Sequence, residues 1–187
     1  MTSNLVLAGI DYSMSSPAMC VHTGDSWSIQ NCQFVYTCKT KSKIFHESPF
    51  NGVVYPTYDI PINRFSQLSL IMIRFLEPLR PDMVALEGYS YGSSGKVFEI
   101  GENMGLLKFR LAACAIPFVS YSPPHVKKYA TGKGNAKKEL MYSAFVDDVG
   151  EKVLEKFNPN HAKIKSPVSD IVDSYFICKK LFHEQTL

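Results

Sequence analysis

Four carboxylates in this chain stand where a folded element would end or begin: two close apolar runs, and two lie in the opening turns of another. Asp11 closes Asn4-Leu5-Val6-Leu7-Ala8-Gly9-Ile10, and Glu87 closes Met83-Val84-Ala85-Leu86. Both therefore fall at the C-terminal end of a predicted strand, the edge of an open α/β sheet at which ligands bind. Asp170 and Asp173 sit three residues apart in Ser166-Pro167-Val168-Ser169-Asp170-Ile171-Val172-Asp173-Ser174-Tyr175-Phe176-Ile177. On a helix that spacing puts them on one face, and in the first turns the positive end of the helix dipole favours them. Singly, each acid has an ordinary explanation: a turn residue, an ion-pair partner, a charged pair on a solvated helix start. Delivered together from three elements they make a hard-oxygen donor set suited to Mg²⁺ or Mn²⁺. Two such ions can activate a water and stabilise the leaving oxygen of a phosphodiester. Without metal, four clustered carboxylates would repel one another and raise some of their pKa values.

Two further stretches carry groups suited to nucleic acid. Residues 121–138 hold Lys127, Lys128, Lys133, Lys137 and Lys138 with no acid among them. Lysines and backbone amides at a Gly-rich turn and helix start fit phosphate contact, and a solvated lysine-rich loop is the plain alternative. The loop after Glu87, Gly88-Tyr89-Ser90-Tyr91-Gly92-Ser93-Ser94-Gly95-Lys96, places Tyr89 and Tyr91 among small residues and ends on another cation, Lys96. Aromatics on such a loop can stack on bases or wedge between them, although ordinary loop tyrosines would look the same. Neither Gly132-Lys133-Gly134 nor the segment from Gly92 to Lys96 fits the phosphate-loop pattern G-x-x-x-x-G-K-S/T, so no nucleotide cofactor is expected.

The apolar periodicity gives the elements that must position these groups. Residues 4–10, 17–23 and 27–38 read as three strands in a meander, with Gly24-Asp25 turning between the last two. Residues 39–61, with Lys39, Lys41, Lys43 and three prolines, read as a long loop or insertion. From Ile62, the residues Phe65, Leu68, Met72, Phe75, Leu76 and Leu79 recur at helical spacing until Pro78 and Pro81 close the segment. Met83–Glu87 is a fourth strand, 97–114 a helix, and Pro117–Tyr121 a fifth strand. A helix follows from Asn135, as N-cap, to Val149. Ser166 and Pro167 supply the N-cap and first position of a last helix, to about Phe182. Strands alternating with helices after a meander predict an α/β fold with one mixed, five-stranded central sheet flanked by helices. The apolar stripe of 97–111 fits a core or dimer face better than a cofactor site.

With 187 residues the chain is expected to form one domain, 1–187, and at 45% hydrophobic it can bury a real core. No apolar run is long enough to span a bilayer, and the N-terminus lacks the basic region of a signal peptide. Cys20, Cys32, Cys38, Cys114 and Cys178 are odd in number, irregularly spaced and without C-x-x-C, which reads as reduced thiols in a cytoplasmic protein. The formal net charge of +3 is too mild to decide anything by itself.

Taken in order, these motifs resemble the RuvC-like Holliday junction resolvases of the RNase H-like (retroviral integrase) superfamily, in their bacteriophage-encoded form. Gly9-Ile10-Asp11 is similar to the family's first-strand aspartate motif, and Val84-Ala85-Leu86-Glu87 to its fourth-strand glutamate motif. Ile100-Gly101-Glu102-Asn103-Met104-Gly105 resembles the Gly-containing helix that follows, and Val126-Lys127-Lys128 with Gly132–Lys138 the basic segment. Ser169–Ser174 is similar to the terminal D-x-x-D, so the likeness spans roughly residues 5–180. Tyr12-Ser13 stand where the bacterial pattern has Pro-Gly, and 39–61 does not align with it.

The resemblance implies an RNase H-like fold and cleavage of branched DNA, four-way junctions above all, with two Mg²⁺ ions per site and Mn²⁺ able to substitute. It implies Asp11, Glu87, Asp170 and Asp173 as metal-binding catalytic acids, Lys127 or Lys138 beside the scissile phosphate, and Tyr89 or Tyr91 as the residue that disturbs stacking at the crossover. It also implies a homodimer, no membrane association, and a place in the cytoplasm, the bacterial host's if the protein is phage-encoded. Two alternatives stay open: a nuclease of the same fold cutting flaps, single strands or RNA–DNA hybrids, and a non-catalytic junction-binding protein. An actin-like ATPase shares an early strand-Asp but needs a second phosphate loop, which this short chain lacks.

Overall fold

The computed structural model describes residues 4–54, 57–89, 96–157 and 163–187. Its centre is a six-stranded sheet built from β1 (Val6–Asp11), β2 (Ala18–Thr23), β3 (Cys32–Cys38), β4 (Phe50–Val54), β5 (Met83–Glu87) and β6 (Phe118–Tyr121). The helices are α1 (Pro61–Leu76), α2 (Val97–Ala113), α3 (Pro123–Thr131), α4 (Lys138–Val149) and α5 (Val168–Thr186). The strand order is β4-β3-β2-β1-β5-β6. β2 is antiparallel to both β1 and β3, whereas the β3–β4, β1–β5 and β5–β6 pairs are parallel. Five strands therefore run one way, and their C-terminal ends share one edge.

The sheet has six strands where the sequence predicts five. The extra strand is β4, inside the segment read as a loop. Its short run Phe50-Asn51-Gly52-Val53-Val54 lies among prolines and lysines and has no long alternation to announce it. It forms because Phe50 stacks on Phe34 of β3 at 5.2 Å between centroids and because β3 offers a free edge. One helix not expected from the sequence, α3, also forms, and three boundaries shift. β3 begins at Cys32, after a 3₁₀ turn at Ile29–Asn31 capped by Ser28. Within the basic stretch, α3 begins on two prolines, whose fixed φ suits the first helical turn. α4 starts at Lys138 with Lys137 as its cap, so Asn135 is not the N-cap. α5 starts at Val168 with Pro167 at the cap position, which frees the Ser166 hydroxyl for a partner in the site.

Side chains alternate across the sheet into two cores. Ala8, Ile10, Met19, Val21, Val84 and Leu86 pack with Leu68, Met72 and Leu76 of α1 and Met104, Leu107 and Leu111 of α2. Leu7, Cys20, Phe34, Tyr36 and Ala85 pack on the other face against Met141 and Phe145 of α4 and the length of α5. α5 is apolar nearly all round, as a helix at the centre of a core must be; its buried residues run from Val168 to Phe182. The cysteines are free thiols, four of them buried. Among the described residues no helix is long and apolar enough to cross a membrane.

α5 meets the sheet at Gly9. A Cβ placed there would lie 2.2 Å from the backbone nitrogen of Cys178 and 2.6 Å from the carbonyl oxygen of Ser174. Only a residue without a side chain lets the helix backbone come this near, and the Cys178 thiol donates to the Leu7 carbonyl at 3.4 Å beside it. Backbone atoms cannot turn aside as a side chain can, so Gly9→Ala must move the helix. The expected loss is about 3 kcal/mol or more, read as a lowered midpoint in urea unfolding. A midpoint within error of wild type would show that α5 is not held in this way.

Candidate active site

The four acids come together on the α5 face of the sheet, at its C-terminal edge. Along β1, Leu7 and Gly9 face α5, and the alternation gives Asp11 the same side. Glu87 has the parity of Ala85, which also packs on the α5 side. The parallel register pairs Ile10 with Leu86, so Asp11 and Glu87 sit one rung further on, on neighbouring strands ~4.8 Å apart. The helix supplies the other two. Gly9 to Asp11 is ~7 Å along a strand, and Ser174 back to Asp170 is ~6 Å along a helix. Contact at Gly9 thus brings Asp170 level with Asp11.

Burial and mutual repulsion define the electrostatics. Asp11 is 7% exposed and Asp170 6%; Glu87 and Asp173 are half-buried. Desolvation, with the charges of Glu87, Asp170 and Asp173, pushes the Asp11 carboxyl well above its usual range, and Lys138 draws it back in part. Burial raises Glu87, opposed by Lys127 and reinforced by Asp170. Asp173 is pushed up to about 7 by burial and by Glu87 and Asp170, with Lys127 and Lys138 acting the other way.

Hydroxyls steady Asp170. Ser16 Oγ donates to its Oδ2 at 2.7 Å and Ser169 Oγ to its Oδ1 at 3.1 Å. Lys138 Nζ donates to Ser169 Oγ at 3.1 Å, and the hydroxyls of Ser16 and Ser166 are 3.1 Å apart. Lys138 is held there because α4 is fastened to α5 at its other end. Tyr175 Oη donates to Asp148 Oδ2 at 2.6 Å, and Lys179 Nζ reaches the same carboxylate at 2.5 Å. Sequence reasoning missed Ser16 and Ser169. Their only sign is a serine cluster after Asp11 and a serine beside Asp170, neither distinguishable from turn and helix-start chemistry.

Two clefts meet at Glu87. One, of about 880 Å³, is lined by Glu87, Asp173, Lys127, Asn135, Lys137 and Lys138, among others. The other, of about 300 Å³, contains Asp11, Glu87 and Tyr89 with Tyr12, Ser13 and Met104. Tyr89 is 43% exposed, with Lys108 Nζ 5.2 Å from its ring centre. The structure thus gathers Asp11, Glu87, Asp170, Asp173, Lys127, Lys137, Lys138 and Tyr89. Lys96, Lys128 and Lys133 are exposed and line neither cleft. Tyr91 lies outside the described residues.

Among the described residues no three His, Cys, Asp or Glu side chains are drawn together as a ready-made ion cage. The donor set nonetheless fits a hard divalent cation in its chemistry. It is all carboxylate oxygen, partly buried, and its raised pKa values record a repulsion that positive charge would relieve.

No family model matches the chain. Among curated proteins, a segment of 71 residues is 31% identical to the crossover junction endodeoxyribonuclease RuvC of Gloeobacter violaceus, covering 38% of this chain and 41% of that one. A segment of 92 residues is 30% identical to the enzyme of the same name from Ruegeria pomeroyi, covering 49% and 56%. The chain thus spans about half the length of the curated relatives it matches. Among solved structures, Thermus thermophilus RuvC in complex with Holliday junction substrate superposes with a TM-score of 0.65 at 18% identity, over 97% of each chain. The six-stranded mixed sheet flanked by helices has the RuvC-type fold.

The raised Asp173 pKa makes stability depend on pH. The folded chain keeps that proton up to about pH 7, whereas the unfolded chain releases it near the ordinary value of 3.8. The folded state therefore loses ground as pH rises between those values, and no further above them. Asn at this position removes the effect. In chelator, the melting temperature of Asp173→Asn should gain on wild type from about pH 4 to about pH 7 and then hold a constant lead. A difference that stays flat across that range would contradict the assignment.

Proposed function

We propose that this chain, a relative of the RuvC crossover junction endodeoxyribonucleases and a bearer of their fold, is a structure-specific DNA endonuclease. Its proposed substrate is the four-way junction and related branched DNA, and its reaction is phosphodiester hydrolysis leaving a 5′-phosphate and a 3′-hydroxyl. The observation that carries the reading is the meeting of Asp11, Glu87, Asp170 and Asp173 on one edge of the sheet, with Lys127 and Lys138 acting on the same carboxylates.

Asp11, Glu87, Asp170 and Asp173 would hold Mg²⁺ or Mn²⁺, two ions per site. Such ions supply Lewis-acid stabilisation of the leaving oxygen and a nucleophile from water. The protein's own groups do the rest. Ser16 and Ser169 fix both oxygens of Asp170. Lys138, already directed at Ser169, and Lys127 at the same cleft offer positive charge to the phosphate. Tyr89, half-exposed at the second cleft, is set to contact a base that leaves its stack, and the exposed Lys96, Lys128, Lys133 and Lys137 would add backbone contacts.

A homodimer fits this reading, since paired nicks across a junction call for two sites related by a twofold axis. The outward side of α2 supports it. Phe98 and Phe109 are 88% and 70% exposed, and around Gly101 and Gly105 between them there is open space. By light scattering the protein should be dimeric, and Phe98→Glu with Phe109→Glu should give a monomer of unchanged fold. A wild-type monomer, with and without junction DNA, would remove this part of the proposal.

The direct test is cleavage of a labelled panel: four-way junction, three-way junction, flap, linear duplex, single strand and RNA–DNA hybrid, in Mg²⁺. Paired symmetrical nicks in the four-way junction are expected. Asp170→Asn should cut at least ~100-fold more slowly while binding the junction as before. Full activity in that variant would sink the site assignment. Preferential cutting of flaps or hybrids would retain the site and replace the substrate, and tight binding without cutting would make the protein a junction-binding one.

A further inference from the structure

The lysines of 121–138 lie on one side of the acids; a second set lies on the other. β3 runs in the same direction as β1, because each is antiparallel to the β2 between them. The segment that leaves β3 therefore emerges at the same edge as Asp11 and Glu87. It begins Lys39-Thr40-Lys41-Ser42-Lys43 and has no acidic residue before Glu47. β3 and β6 are each two positions from β1, so the two lysine segments rise ~10 Å to either side of it and ~19 Å apart, at ~4.8 Å per strand. The acids stand between them.

The β3 segment is a built turn. Residues Lys41–Lys43 form a 3₁₀ turn closed by Lys43 N–H to Thr40 O at 3.2 Å and Ile44 N–H to Lys41 O at 3.0 Å. The Tyr36 hydroxyl pins its exit, donating to the Lys43 carbonyl at 2.8 Å and accepting from Phe45 N–H at 2.9 Å. Gly52 of β4 leaves room for that ring, since a Cβ there would lie 2.6 Å from the hydroxyl. Lys43 Nζ then donates to the Ser166 carbonyl at 3.3 Å, and the Ser166 hydroxyl pairs with Ser16, which holds Asp170. The turn is tied to the acid cluster through one lysine. The other two, Lys39 and Lys41, are exposed.

We propose that Lys39 and Lys41 form a second phosphate-binding wall, holding the backbone of a duplex arm on the β3 side of the acids opposite Lys127, Lys137 and Lys138. This rests on the reading of the protein as a branched-DNA nuclease and names the surface that receives a further arm. Flexible lysines would contact phosphates without reading bases, so the wall contributes affinity and salt dependence, not sequence choice. Lys43, committed to Ser166, is the anchor of the turn.

The test is a salt titration of binding, in chelator, of the full chain to a fluorescently labelled four-way junction. Wild type is compared with Lys39→Ala/Lys41→Ala and with Lys152→Ala, a lysine beside Ile29 and Glu47 near the opposite edge of the sheet. Circular dichroism checks that each variant is folded. Each lost phosphate contact lowers the slope of log K against log salt by ~0.9, so the double variant should lose ~1.8 from the slope and bind more weakly, while Lys152→Ala matches wild type. A double variant with the wild-type slope and affinity overturns the proposal and leaves the nuclease reading intact. A wild-type protein that neither binds nor cuts branched DNA overturns that reading and this one with it.

Discussion

The close approach of α5 to β1 at Gly9 sets the geometry of everything else at the sheet edge. With no side chain between them, the backbone of Cys178 and Ser174 rests directly on the strand. The helix is then fixed in height, and its first two turns carry Asp170 and Asp173 towards the level of Asp11. Any larger residue at position 9 would lift or slide the helix, and a shift of an ångström at a charged site matters far more than the same shift in an apolar core. The apolar wrap of α5, from Val168 to Phe182, holds the helix on the sheet while its acidic end faces the opposite tendency.

That tendency is electrostatic. Four carboxylates in a partly buried site cost folding free energy, as the raised pKa values of Asp11, Glu87 and Asp173 record. The surroundings moderate the cost without abolishing it. Lys138 and Lys127 lower the acids' pKa values, and two serine hydroxyls give Asp170 its partners. The strap from Tyr175 and Lys179 to Asp148 then keeps α4, and with it Lys138, against α5. The residual repulsion is what a divalent cation would relieve, so the same groups that weaken the metal-free fold are those that would bind the ion.

Sheet direction explains how a small chain gathers its cationic and aromatic segments around this point. With only β2 reversed among the six strands, the segments leaving β1, β3, β5 and β6 all start at the acid edge. They deliver in turn the Ser13–Ser16 stretch, the Lys39–Lys43 turn, the Tyr89 loop and the lysines of α3 and α4. The opposite edge carries none of these groups. The acids, the lysine segments and the Tyr89 loop are thus segregated to one side by topology, before any single residue is chosen.

The acids were legible in the sequence because Asp11 and Glu87 end apolar runs and Asp170 and Asp173 open one, and such boundaries mark a sheet edge or a helix start whatever the rest of the fold does. The D-x-x-D spacing fixed a shared helix face by the 3.6-residue period alone, and the lysine-rich stretch declared itself by composition. β4 was not legible: five residues at an edge are too short for a periodic signal, and their pairing depends on Phe34, far away in the chain. Nor were the helix starts at Lys138 and Val168, where tertiary contacts to Ser169 and Ser16 displaced the local capping preference of Asn135 and Ser166. The roles of Ser16 and Lys43, and the bond from Lys138 to Ser169, belong to the tertiary structure, since hydrogen bonds between residues some 30 to 150 positions apart leave no distinguishing trace in local sequence. The chain by itself determined which groups could do chemistry and at which ends of elements they stand. Which of them meet was decided by the fit of one helix backbone onto one glycine.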